Sequence, residues 1–442
     1  MWKAKASVVG PTIALVLALT LSGAAADKVK LDVALGKPVL LAGREETTHL
    51  KVSLTGFVLE SEKERAPVNV AIVLDKSGSM RGEKLAQAKE AARQAVERLG
   101  SRDTVAIVAY DHTVNVLLPA ARATDKPAIA AAIDRIAAGG NTALFAGVSK
   151  GAEELRKFLD KNRANRIILL SDGLANVGPS SPAELGSLGA SLIKENISVT
   201  TIGLGLGYNE DLMTELARRS DGNHAFVAEP ADLPKIFSHE FGDVLSVVAQ
   251  EVVVRIHCAD GIRPLRLLGR EGIIDGQTVT TTLNQLYSSQ EKYVLLEVQV
   301  PPSEEGAVRD VASVSLSYLN METGKTDQLT SSLAVRFAAS QELVDKNANG
   351  EVQEAAVAQI ATFNNALATR LRDEGKIEQA RQLLLENAEF LGRNAAALES
   401  EQLRTLQKAQ KDDADNLDAE NWGEQRKKMR DRQYQMESQR AW

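Results

Sequence analysis

The chain has 442 residues, 44% of them hydrophobic and 25% charged, with one cysteine and a formal net charge of −7. That length can bury a sizeable core in two or three domains, and a lone Cys258 excludes an internal disulfide framework. The acid excess repels phosphate backbones and argues against nucleic acid as the partner.

Residues 1–26 carry Lys3 and Lys5, an apolar run from Ile13 to Leu21, and then Ala24, Ala25 and Ala26, the three parts of a cleavable export signal. Cleavage after Ala26 would remove two lysines and no acid, leaving −9, and the expected location is periplasmic or secreted. Ala24 stands where a lipid anchor needs cysteine. No later stretch approaches the roughly 20 apolar residues of a spanning helix, so no membrane span is expected in the mature chain. Nothing in these patterns fixes the oligomeric state.

Residues 27–66 read as period-two strands, as in "THLKVSLTGFVLE". From 67 to 243 short β-branched runs alternate with amphipathic helical stretches. Strands are expected at 68–74, 104–110, 113–118, 166–170, 197–204 and 225–228. The helical patterns between them run from 83 to 99, 128 to 136, 144 to 159, 183 to 194 and 210 to 218, with a last one from Leu233 to Leu245. Nearly continuous apolar strands mean helices on both sheet faces, so the expected fold is an open, doubly wound, mostly parallel α/β sheet. The run at 113 follows its predecessor after only "DH" and predicts an antiparallel edge strand.

Residues 244–337 return to period-two strands with no helices. Neither flank has enough strands for a sandwich alone, so the 27–66 strands are expected to pair with the later ones, making the α/β unit an insertion into a β-sandwich. Cys258, in the alternating "EVVVRIHCAD", reads as a buried structural thiol. Residues 338–410 have helical spacing broken at Gly375 and predict a helical hairpin, its Ile360–Leu391 stripe an interior rather than a partner groove. Residues 411–442, dense in charge and poor in aliphatics, read as a solvated helix or frayed tail. Trp422 and Trp442 have no evident role there.

The chemistry is concentrated in "VNVAIVLDKSGSMRGEKL", residues 68–85. Side chains of an extended segment alternate, so Asp75, Ser77 and Ser79 can converge on one point. They follow a central strand at the sheet rim where open α/β folds keep their ligand crevice. Oxygen donors of this kind suit hard divalent cations. Two other stretches supply oxygens at the same rim. "AAGGNTALFAG" places Thr142 in a glycine-rich loop ahead of a helix, and "RIILLSDGLAN" places Asp172 at the end of another apolar strand.

D-x-S-x-S, a threonine after a glycine-rich loop, and a strand ending in S-D-G together resemble the von Willebrand factor A domain with its metal-ion-dependent adhesion site, over residues 67–243. The signal sequence and flanking strands are similar to secreted bacterial von Willebrand A proteins and to inter-α-trypsin inhibitor heavy chains. The resemblance implies that Ser77 and Ser79 ligate the ion directly, Thr142 directly or through water, with Asp75 and Asp172 mostly one layer behind. It implies Mg²⁺ first, with Mn²⁺ or Ca²⁺ as alternatives. An ion held mainly by neutral hydroxyls stays electron-poor and keeps a position for an Asp or Glu carboxylate of a protein ligand. It also implies that movement of the Thr142 loop, eased by Gly139 and Gly140, couples to the helix at 233–245. The function expected is therefore an exported adhesion or scaffold protein, not an enzyme. A metal-assisted hydrolase or a purely structural ion are the alternatives, and Asp111 and His112 are the only candidate reactive neighbours of the site.

Other strings have plainer readings. "GVSKG" at 147–151 falls inside a helix rather than on a hydrolase elbow, and "GLGLGYNE" at 203–210 has Tyr208 where a dinucleotide loop needs its third glycine. "HEFGD" at 239 lacks the second histidine of a zinc protease, and His49, His112, His224 and His257 show no ligand spacing. "DKNANGEVQE" from Asp345 imitates a calcium loop but has Ala356 in place of the closing glutamate, so a polar linker and helix start are expected there.

Overall fold

The structure, a computed structural model, describes residues 28–59, 65–418 and 420–439. The expected export signal at 1–26 and Trp442 lie outside them. Three strands come first, β1 (Lys30–Leu35), β2 (Val39–Leu41) and β3 (Glu46–Thr55). Burial alternates along β3, with Leu50, Val52 and Leu54 facing the core.

The chain then enters the α/β unit through β4 (Val68–Asp75), α1 (Glu83–Glu97), β5 (Thr104–Tyr110), β6 (Val114–Arg122), α2 (Lys126–Asp134), α3 (Leu144–Arg156) and β7 (Ala164–Ser171). It continues with α4 (Pro182–Leu192), β8 (Ile197–Leu204), α5 (Glu210–Arg219), β9 (His224–Val227) and α6 (Leu233–Leu245). The sheet order is β6-β5-β4-β7-β8-β9, parallel throughout except for the β5–β6 edge pair. Every residue of β4, β5, β7 and β8 is buried, because α1, α2 and α6 cover one face and α3, α4 and α5 the other. Gly147 and Gly151 bring α3 onto the sheet. A β-carbon on either would stand 2.8 Å from the Tyr110 ring or from Val73 Cγ2, so the G-x-S-x-G string is helix packing. Tyr208 fills the space beside Gly203 in the same way.

Seven strands follow: β10 (Val247–Cys258), β11 (Arg263–Leu268), β12 (Ile273–Asp275), β13 (Thr278–Tyr287), β14 (Glu291–Val300), β15 (Val308–Asn320) and β16 (Lys325–Ala338). One sheet runs β1-β3-β14-β11 and the other β12-β13-β10-β15-β16-β2. The early strands therefore belong to the later sheets, and the α/β unit is inserted between β3 and β10 of a β-sandwich. Leu50, Val52 and Leu54 pack with Val252, Val254, Ile256 and Leu316 in one core. Cys258 joins it, and burial pushes the thiol up to about 11, which makes it unreactive.

The remaining residues form α7 (Gln341–Lys346), α8 (Gly350–Asp373), α9 (Ile377–Ala397), α10 (Glu401–Asp415) and α11 (Trp422–Ser438). Gly375, at φ +80°, makes the break between α8 and α9. Asn349 caps α8 by accepting from the Val352 amide at 3.2 Å, so the calcium-like string is a helix start. The helical region exceeds a hairpin: α10 packs through Leu403 and Leu406 against Leu391 and Ala395 of α9 and runs on to Asp415. The charged tail needs correcting, for α11 is docked rather than frayed. Arg426 pairs with Glu210, with Asp211 at 2.5 Å and with Asp373 at 2.8 Å. Asp431 accepts from the Phe226 amide on the β9 edge at 3.0 Å, and Tyr434 donates to the Gly222 carbonyl at 2.8 Å. Trp422 lies under the Arg372 guanidinium and donates to Asp373. Ion pairs take the place of the aliphatic stripe that marks a docked helix in a sequence.

Candidate metal site

β4 ends at Asp75, and the next residue leaves the sheet with its amide bonded to the Tyr110 carbonyl at 2.8 Å. From there the chain steps through Ser77 into a short turn at Gly78–Met80, anchored by the buried Met80. Asp75 is fully buried. One of its oxygens accepts from the Ser77 amide at 2.8 Å and the other from the Ser171 hydroxyl at 2.7 Å. The Ser77 and Ser79 hydroxyls lie 3.0 Å apart, and Ser79 donates to Asp172 Oδ1 at 2.6 Å. Asp172 follows β7, the neighbour of β4, and its second oxygen takes Lys84 Nζ from the first turn of α1 at 2.6 Å.

Thr142 arrives on the loop between α2 and α3, which is laced to the same rim. The Gly139 amide donates to the Lys76 carbonyl at 2.7 Å, the Gly78 amide to the Gly140 carbonyl at 3.0 Å, and the Thr142 amide to Asn176 Oδ1 at 2.8 Å. Gly140 has φ +76°, and a β-carbon there would collide with the His112 ring, which is why this loop needs glycine.

The convergence can be measured at Gly173. The point where its missing β-carbon would stand is 3.2 Å from Thr142 Oγ1, 3.3 Å from Ser79 Oγ and 3.9 Å from Ser77 Oγ. Three hydroxyls from two separate loops face one small space, left open because residue 173 has no side chain. Ser77 and Thr142 are buried and Ser79 is exposed, so the space opens to solvent.

The charge around it asks for a cation. Burial raises the Asp75 carboxyl above its ordinary range, the bonds from Ser171 and Ser77 offset this only in part, and the Asp172 charge adds to it. No basic side chain bonds to Asp75 among the described residues. A buried carboxylate without a counter-ion, beside three oxygen donors, suits a hard divalent ion and its charge. Asp111 does not offer a general base. Burial works to raise its carboxyl, but bonds from Lys76 and Thr113 outweigh it and hold it down at about 2. Among the described residues no three His, Cys, Asp or Glu side chains gather as metal ligands.

The structure thus brings together all five residues singled out in the sequence. It adds Gly173, Lys84, Ser171 and Asn176, of which only Ser171 and Gly173 carried a signal, as neighbours of Asp172.

The sequence model of the von Willebrand factor type A domain matches residues 69–239. An uncharacterized protein of Synechocystis is 27% identical over 281 residues, 61% of this chain and 66% of that one. The E3 ubiquitin-protein ligase WAV3 of Arabidopsis thaliana is 26% identical over 374 residues, 80% of this chain and 46% of that one. The human inter-alpha-trypsin inhibitor heavy chain H2 is 26% identical over 164 residues, 35% and 17%. The matched stretches therefore span less than two thirds of these relatives' lengths. Among solved structures, a von Willebrand factor type A protein from Catenulispora acidiphila superposes with a TM-score of 0.69 at 18% identity, over 86% of this chain and 90% of that one. VWA2 from Sulfolobus acidocaldarius gives 0.60 at 18%, over 92% and 98%. Those two likenesses extend beyond the α/β unit and show a shared fold. Residues 69–239 are a von Willebrand factor type A domain, set here into a β-sandwich and followed by C-terminal helices.

Proposed function

We propose that this chain is an exported adhesion or scaffold protein that captures an Asp or Glu side chain of a protein partner through a divalent cation, Mg²⁺ first. Ser77, Ser79 and Thr142 would hold the ion, with Asp75 and Asp172 supplying negative charge behind them. The observation that carries this reading is the convergence of three neutral hydroxyls at Gly173 beside an uncompensated Asp75. Bound there, the cation would supply a Lewis-acidic position that a carboxylate can complete. The domain type supports it, since such domains commonly mediate protein interaction and often bind a divalent metal. Leu174, beside Gly173, and Leu206, in the loop whose Gly207 abuts the Asp172 carbonyl, are exposed large apolar side chains that would give a partner contact around the ion.

Catalysis finds no support at the rim, where Asp111 is engaged by Lys76 and Thr113. The ligase name belongs to a protein more than twice as long as the stretch matched. Calorimetric titration with Mg²⁺ and Mn²⁺, followed by capture from an envelope extract with and without EDTA, tests the reading in wild type and Asp75→Ala. The expected result is metal binding that Asp75→Ala abolishes, and one partner lost both in the variant and in EDTA. A partner retained under all conditions refutes it.

A further inference from the structure

The α/β domain, the sandwich and the C-terminal helices border a cleft of ≈ 1030 Å³ that is partly open to solvent. It is walled by the residues that precede β8 and β9, so it lies at the opposite end of the parallel sheet from the Gly173 cradle. Junctions between domains are where small-molecule sites preferentially form, and this volume suits an organic molecule rather than a single ion.

Among the described residues, the wall contains buried polar groups with an atom left unpaired. Lys292 is 5% exposed, and its ammonium lies over the face of Tyr287, 5.0 Å away. Asp221 and, less strongly, Asp243 favour its charge, while Arg270 and the fully buried Arg166 oppose it. Burial pushes the ammonium down to about 8. Arg270 reaches Asp221 at 3.5 Å and the Thr282 carbonyl at 3.4 Å through one NH₂, and its buried Nε has no acceptor. Gln359 is 1% exposed. Its amide nitrogen donates to Tyr293 and to the Met436 carbonyl, which fixes the amide's orientation and leaves Oε1 buried without a donor. Asn196 Oδ1 lacks one too. Buried polar groups are nearly always paired, and an unpaired buried charge is costly. A cationic lysine and arginine, the latter with a free Nε–H, and unpaired acceptors around one cleft describe the complement of a ligand.

We propose that this cleft binds a small organic oxyanion, a carboxylate or a phosphate ester that also carries N–H or O–H donors. Lys292 and Arg270 take its charged end and Gln359 Oε1 accepts from its body. Asp221, which pairs with Arg270 at 3.5 Å, sets the strength of binding. None of these residues belongs to the metal cradle, so the site stands whether or not that reading holds.

The test uses the full chain, metal-free and dialysed clear of chelator, in calorimetric titration and thermal unfolding. The probes are inorganic phosphate and N-acetyl-alanyl-alanine, against sodium chloride at equal ionic strength. The expected result is a saturable response to a probe, at least tenfold weaker in Lys292→Met and several-fold tighter in Asp221→Asn. Asparagine suits the φ of +46° at position 221 and can still accept from the Asn284 amide. A response to phosphate alone assigns a phosphate ester, and one to the peptide alone a carboxylate. If Lys292→Met does not fold, Arg270→Met replaces it with the same expectation. No saturable response beyond chloride, as for a cleft that holds only water, overturns the proposal, and so does unchanged affinity in the lysine or arginine variant.

Discussion

Gly173→Ala tests the cradle with one methyl group. The residue does not have a positive φ, so alanine is compatible with its backbone. Its β-carbon would stand 3.2 Å from Thr142 Oγ1 and 3.3 Å from Ser79 Oγ, so each hydroxyl must give by a few tenths of an ångström. For the fold this is mild overpacking at a crevice open to solvent, about 1 kcal/mol. For an ion it is severe. Mg²⁺ requires its oxygens at about 2.0–2.1 Å in near-octahedral array, and the methyl both displaces two of the three hydroxyls and intrudes on the space they face. Disturbing the groups that orient metal ligands typically costs 10–100-fold in affinity, about 1.4–2.8 kcal/mol. Electron paramagnetic resonance of free Mn²⁺ measures the binding, and circular dichroism in EDTA measures the fold. The expected result is Mn²⁺ affinity at least about tenfold lower, with the melting curve in EDTA almost unmoved. Wild-type Mn²⁺ affinity in Gly173→Ala refutes the cradle.

Three further outcomes follow from named contacts. Lys84→Met removes a cation 2.6 Å from Asp172 that competes with a metal, and should tighten Mn²⁺ binding about fivefold after screening at a partly exposed site; weaker binding would instead make Lys84 the group that positions Asp172. Arg426→Ala leaves Glu210, Asp211 and Asp373 without their shared, mostly buried partner. It should cost about 2–3 kcal/mol, read as a lower melting temperature and faster proteolysis within α11, whereas an unchanged digest would mean that Lys427 and Tyr434 suffice. His224 is fully buried, and desolvation together with the Lys427 charge pushes its imidazole down to about 3. The unfolded chain takes up that proton below about 6.5 and the folded chain does not. Its stabilising contribution is thus present above about pH 6.5 and is lost as pH falls toward 3, at up to about 1.36 kcal/mol per pH unit. Chemical denaturation between pH 7 and 4.5 should show that slope flattened in His224→Leu; an equal slope in both proteins refutes the assignment.

What could be read in the sequence depended on how local its cause was. β5 and α6 have the bounds their patterns predict, because a continuous apolar run or a helical stripe is set by near neighbours. Asp75, Ser77, Ser79 and Asp172 were legible for a related reason, as oxygens just past the ends of such runs. Lys84 was not, since a lysine in a first helical turn looks like any surface lysine until Asp172 is placed opposite it. Arg166 is the clearest case of hidden chemistry. "RIILLS" reads as apolar strand, yet the guanidinium is fully buried and held by Thr200, Gln285 and Tyr287, the last two from the sandwich. The docking of α11 was hidden likewise, because its partners in α5, β9 and α8 are ion-pair and hydrogen-bond groups far away in the chain.

The insertion also constrains how the cradle can communicate. The α/β domain is entered at β4 and left at α6 beside the sandwich, where Val247, Tyr287, Leu319 and Met321 join its core and the Ser288 amide donates to the Ser246 carbonyl at 2.7 Å. The cradle sits at the far ends of β4 and β7, so a partner can approach it clear of the sandwich. α6 has no slack, because only Ser246 separates it from β10. Asp243 near its end also accepts from Asn223 at 3.3 Å and from Gln290 at 3.2 Å. An axial shift of α6 would have to drag β10, which pairs with both β13 and β15. Loading the cradle should therefore alter hydrogen exchange in the Thr142 loop, whose glycines can absorb the change, while leaving α6 as it was. If α6 responds to metal, β10 must respond with it; a change in α6 alone would show that the joint yields where the structure has it rigid.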